Sequence, residues 1–164
     1  MSEARPEPDA VHTTTVVALD ADLAFEIFTE EVDAWWKHGP RFRTGAQGQS
    51  RMCFEPGVGG RLLEIFDDGA EPFVLGRITV WDPARRLCFE MRGRDFGPGE
   101  KTDVEVRFEP ARNGTRVTVT HSGWAAFASD HPVRHGLTGD AFGAMMGVFW
   151  GDLLVALGDL GRRR

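Results

Sequence analysis

Apolar residues along this chain follow two periods. Between Arg51 and Ser122 they alternate with polar residues, the period of a strand with one buried face. In "TRVTVTHSGW" (115–124), Val117, Val119 and then His121 fall on one face, and Arg116, Thr118 and Thr120 on the other. The alternation predicts strands over 51–55, 61–66, 73–82, 86–93, 102–109 and 115–122. The β-branched run "HTTTVVAL" (12–19) predicts a first strand. The breakers are "EPGVGG", "DDGAEP", "DPAR", "RDFGPGE" and "PARNG". In them Gly permits positive φ, Pro presets φ, and Asp or Asn bonds its own backbone. Connections this short favour antiparallel hairpins.

The second period is helical. In "ADLAFEIFTEEVDAWW" (21–36), Leu23, Ala24, Ile27, Phe28, Val32, Trp35 and Trp36 recur at steps of three and four. They make one face of a kinked helix or of two short ones, with Asp20 as the N-cap. "KHGPRFRTGAQGQS" (37–50) reads as a Gly-rich polar loop. A long helix is expected from near Pro132, over 133–161, with Phe142, Met145, Met146, Phe149, Trp150, Leu153, Leu157 and Leu160 as its apolar stripe. The element order is then β-α-α-β-β-β-β-β-β-α. A curved antiparallel seven-stranded sheet wrapped around the C-terminal helix, an α+β fold, buries both apolar surfaces. Residues 1–10 read as a disordered tail and 11–164 as one domain.

Alternation also names the inward face. Met52 and Phe54, then Gly76, Ile78 and Val80, Leu87, Phe89 and Met91, Val104, Val106 and Phe108, and Val117, Val119 and His121 should point in. Trp81 then points outward, which a bulge near it would cure. His121 is the one polar group placed inward. It reads either as a polar anchor inside a cavity or as a strand-end histidine bonded to the loop after Trp124.

Composition narrows the chemistry. The chain has 164 residues, 27% charged and 41% hydrophobic, with 19 basic and 25 acidic side chains and a net charge of −6. That balance opposes a nucleic-acid surface. No apolar run is expected to reach membrane-spanning length, and no signal peptide is apparent at "MSEARPEPDAVH", so a cytoplasmic protein is expected. Cys53 and Cys88 lack metal-ligand spacing and read as thiols, although a disulfide stays open. His131 and His135 share a helical spacing, but His131 reads better as an N-cap, and no metal or cofactor is expected. "EPGVGGR" fails the phosphate-loop pattern and reads as a hairpin. Ser122 follows His121 but faces the opposite side, so no Ser–His pair forms, and no other catalytic residue stands out. Gly139, Gly143, Gly147 and Gly151 form a ridge along the last helix, read either as space for a ligand or as compositional drift among 20 glycines.

Four stretches resemble one family. "AFEIFTEEVDAWW", "FEPGVGGRLLE", "GRITVWDPARRLCFEM" and "TDVEVRFEPARNGTRVTVTHSGW" are similar, in order, to segments of the START-like (SRPBCC, helix-grip) superfamily. Within it, the resemblance is to the family related to the activator of the ninety-kilodalton heat-shock chaperone ATPase. It covers roughly residues 12–124; the last helix fits by position. The resemblance implies a helix-grip fold whose core is split by a cavity under the long helix. A hydrophobic or aromatic small molecule is the expected ligand. Trp35, Phe54, Phe89, Met91, Val106, Phe108, Val119, His121, Met145, Met146, Phe149 and Trp150 are its expected contacts. Two alternatives stand beside it: a chaperone-regulating interaction module, and a polyketide cyclase or aromatase in which His121 is the acid–base group. A monomer or homodimer, without nucleic-acid or membrane partners, is expected.

Overall fold

The computed structural model describes residues 9–45, 49–137 and 139–164. The expected disordered tail, as far as residue 8, lies outside them. Seven antiparallel strands run in the order β1-β7-β6-β5-β4-β3-β2. They are β1 (Ala10–Val17), β2 (Ser50–Phe54), β3 (Arg61–Phe66), β4 (Phe73–Asp82), β5 (Arg86–Met91), β6 (Thr102–Ala111) and β7 (Gly114–Ser122). The helices are α1 (Ala21–Glu30), α2 (Val32–Trp35) and α3 (Gly139–Arg162). Strands joined by short turns pair with their neighbours, while β1 closes onto β7 at the far edge. The result is the helix-grip fold, with α3 held in the concave side of the sheet.

Asp20 caps α1, its carboxylate accepting the Leu23 N–H at 3.0 Å. The buried side of α1 runs through Ala24, Phe25, Ile27 and Phe28, so Phe25 is buried and Leu23 is 43% exposed, reversing the expectation for Leu23. Phe25 instead packs edge-on to Trp81 and against Phe108.

The expected bulge is present, slightly earlier than Trp81. The β4–β5 register shifts between Ile78 and Val80, so Ile78 pairs with Phe89 and Trp81 with Leu87. Trp81 therefore turns toward Phe25, and Val80 joins Cys88 in the opposite phase, correcting its inward assignment. Gly76 is required by a close approach: a Cβ there would lie 1.5 Å from the Glu90 carbonyl oxygen.

The last helix begins later than expected. Residues Pro132–Arg134 form a separate 3-10 turn, capped by His131, whose Nδ1 accepts the Val133 N–H. Left-handed His135 (φ 50°) and Gly136 (φ 76°) end that turn before α3 can start. With 24 residues, α3 is long and apolar enough to cross a membrane, which corrects the expectation about apolar runs. Here it is a core helix: Phe142, Met146, Trp150, Leu153, Leu154, Leu157 and Leu160 are buried. Cys53 and Cys88 are free, half-buried thiols.

Candidate functional site

The aromatic residues divide the concave space into a filled part and an open part. Phe28 packs on Trp35 at 4.7 Å between ring centroids, and Phe54 on Phe89 at 5.4 Å. Trp36 packs edge-on to Trp150 at 5.9 Å. Around these rings Val106 and Val119 are fully buried. Trp35, Phe54, Phe89, Val106, Phe108, Val119 and Trp150 thus form packed core and do not line the cleft under α3. The reason is the docking of α1 and α2, whose rings fill the space the sheet's curvature leaves there.

The open part lies under the N-terminal half of α3, a cleft of about 700 Å³. Met145, Met146 and Phe149 line it from the helix, and Met91 and His121 from the sheet. These are the five expected contacts that the structure brings to the cleft. Leu75, Phe73, Phe96, Trp124 and Val133 add apolar surface, and Arg41, Arg43, Arg92, Arg94 and His135 supply basic groups.

His121 is tied down at both ring nitrogens. Trp150 Nε1–H donates to its Nδ1 at 3.0 Å. An indole only donates, so Nδ1 is the acceptor and Nε2 carries the proton. Nε2 then donates to the Thr102 hydroxyl at 2.7 Å, and that hydroxyl donates to the Met91 carbonyl at 3.2 Å. Full burial pushes the His121 pKa down to about 3. The imidazole stays neutral at ordinary pH, with no nitrogen free for a ligand. The Trp124 ring covers it at 4.4 Å. His121 therefore matches neither sequence reading fully: it points inward, but its partners are α3 and β6. Ser122 faces the outer side of the sheet, where it pairs with Ala10 and Asp103.

One wall of the cleft was invisible as periodicity. The segment 37–45 is polar and Gly-containing, yet it is stapled in place. The Arg43 guanidinium is buried, pairs with Asp33 at 2.8 Å and donates to the carbonyls of Ser50, Lys37 and Trp36. Trp36 Nε1–H donates to the Phe42 carbonyl at 2.9 Å. Phe42 is thereby stacked on Phe149 at 5.2 Å. On the other side, buried Glu64 accepts from the Thr44 N–H, the Thr44 hydroxyl and the Gly45 N–H at 2.7–2.9 Å. Burial pushes the Glu64 carboxyl up, but these donors outweigh it and hold it below its ordinary value. Glu64 and Thr102 are thus inward polar groups alongside His121, which corrects its reading as the one such residue. Their signal was phase: Glu64 shares a face with Leu62, and Thr102 with Val104.

Three further observations bear on chemistry. Trp124 lines the cleft, and its buried Nε1–H has no hydrogen-bond partner among the described residues. His131 is occupied at both nitrogens, by the Val133 N–H and by Glu100 Oε1 at 3.0 Å. The bond from the Gly97 N–H, and then that from His131, lower the Glu100 pKa. Among the described residues no group of three or more His, Cys, Asp or Glu side chains could hold a metal ion.

A fold and cleft of this kind define a START-like, helix-grip protein. The family model described as "Activator of Hsp90 ATPase homolog 1-like protein" matches residues 18–141, and the chain belongs to that family. Among solved structures, a protein from Mesorhizobium loti has a TM-score of 0.65 at 16% identity, covering 94% of this chain and 97% of that one. The Aha1 dimer of Colwellia psychrerythraea has a TM-score of 0.59 at 18% identity, covering 92% and 93%. An anthrahydroquino-gamma-pyrone synthase, Txn09, solved in complex with a compound designated SUM, has a TM-score of 0.58 at 28% identity, covering 95% and 99%. Among curated proteins, none matches the sequence.

Proposed function

We propose that this chain binds a hydrophobic or aromatic small molecule in the cleft under the N-terminal half of α3. The carrying observation is the cleft itself: about 700 Å³ bordered by Phe42, Phe73, Met91, Met145 and Phe149, in a core otherwise closed by aromatic packing. Its size and apolar walls suit a metabolite of several rings or a branched chain. The unpartnered Trp124 N–H supports the reading further, because a buried donor without an acceptor costs about 1–3 kcal/mol, which a ligand oxygen would relieve. Likeness to Txn09, which was solved with a bound compound, points the same way. His121 serves this site indirectly, bracing Trp150 and Thr102 and supporting the Trp124 ring.

The likeness to a synthase also favours a second reading, an enzyme acting on a polyketide-like substrate. In this chain His121 is not its acid–base group, because burial holds it neutral and both nitrogens are engaged. The third reading, a chaperone-regulating module, takes its support from the family and from Val148 and Val155, exposed on the outer side of α3.

Native mass spectrometry of protein purified from its own source tests the leading reading. A co-purified small molecule that is present on wild type and depleted from Met145→Trp, which narrows the cleft, is the expected result. Equal loading of both proteins, or loading of neither alongside recovery of a chaperone, overturns it.

A further inference from the structure

The basic groups at the cleft fall into two kinds. Arg41 and Arg43 are neutralised, by Asp152 at 3.3 Å and Asp33 at 2.8 Å. Arg92 and Arg94 are exposed, border the same cleft, and have no carboxylate partner among the described residues. They stand two residues apart just beyond the end of β5, and Arg94 lies over the rings of Phe66 and Phe73 at 5.7 Å. Phe73 is itself a cleft residue, so this guanidinium is held at the junction of apolar wall and solvent. Two carboxylates share the cleft. Glu64 is turned into the 44–45 backbone, where both its oxygens are engaged. Asp95 borders the cleft as well. The formal charges of the lining and its ion-pair partners cancel, but Glu64 is turned inward, so the exposed charged donors left unpaired at the cleft, among the described residues, are Arg92 and Arg94.

We infer that the ligand is an organic acid, its apolar body lying against Phe42, Phe73 and Phe149 and its anionic oxygen group at the mouth on Arg92 and Arg94. A guanidinium donates a planar fork of N–H groups that matches a carboxylate or sulfonate, and such charge-assisted bonds outrank neutral ones. The inference rests on the small-molecule reading and adds the polarity of that molecule.

Two dyes with the same aromatic skeleton test it: neutral N-phenylnaphthylamine and anionic anilinonaphthalene sulfonate. Each is titrated against wild type and an Arg92→Gln, Arg94→Gln double variant, at low and high salt, with near-ultraviolet circular dichroism confirming the native fold. Wild type is expected to bind the anionic dye more tightly. The double variant should lose that dye by about 10- to 100-fold while holding the neutral one unchanged. Added salt should weaken only the anionic dye on wild type. Equal affinity for both dyes, untouched by the double substitution, overturns the inference and leaves the small-molecule reading standing. Binding of neither dye overturns both.

Discussion

The C-terminal end of α3 lies in close contact with β1, while its N-terminal half stands over a cleft of about 700 Å³. Glycines mark the contrast. A Cβ on Gly161 would lie 2.6 Å from Val17 Cγ1, and one on Gly158 would touch Thr15 Oγ1 at 3.7 Å. Added to Gly143, Gly147 or Gly151, it would meet nothing within 4 Å. One set of glycines permits close approach; the other leaves the helix thin where little packs on it. The ridge does not border the cleft, so it is not the ligand wall that its spacing suggested. One helix thus serves as a structural core at one end and as the roof of a site at the other. Trp150 sits at the junction, bonded to His121 and packed on Trp36.

The largest break in this contrast should come at that junction. Trp150→Ala removes a fully buried ring and orphans His121 Nδ1, and should cost about 4 kcal/mol in chemical denaturation. Acid should act next most strongly. His121 has its folded pKa lowered from 6.5 to about 3, so below pH 6.5 the unfolded chain binds a proton that the native state refuses. Stability is therefore complete above pH 6.5 and falls as pH drops toward 3, by about 1.4 kcal/mol per pH unit. Denaturation between pH 6.5 and 5, above the range of the carboxylates, reads this effect as the part of the slope that His121→Gln removes.

The glycines sharpen the comparison with one substitution used twice. Gly161→Ala should destabilise by about 1 kcal/mol, since the clash with the stiff, buried Val17 outweighs the gain in helix propensity. Gly147→Ala should stabilise by up to about 1 kcal/mol, because only propensity changes. Thermal melts of the two variants read opposite signs if the ends of α3 differ as described. The same sign in both would dissolve the contrast.

The packed end was far more legible than the open one. Strand periodicity gave β3, β4 and β7 with nearly their observed limits, because each buries one face and a one-residue slip would expose it. The β4 bulge was legible from the conflict between Ile78 and Trp81. The cleft was harder, because its walls come from segments without a period. Arg43 is buried by backbone carbonyls that only the folded loop brings together. Arg92 and Arg94 sit past a strand end, where alternation has stopped. The start of α3 was misread because Pro132 begins a turn as readily as a helix, and His135 in the left-handed region then breaks it. His121 was placed on the correct face, but its role depends on Trp150, distant in sequence.

The central claim is that the space under the N-terminal half of α3 receives an apolar molecule. Titration of neutral N-phenylnaphthylamine against wild type and Met145→Trp, with melting temperatures measured in parallel, tests it most directly. Saturable one-site binding to wild type, weakened in a variant of unchanged melting temperature, is the predicted result. Equal binding by both proteins, or no binding by wild type, would contradict it.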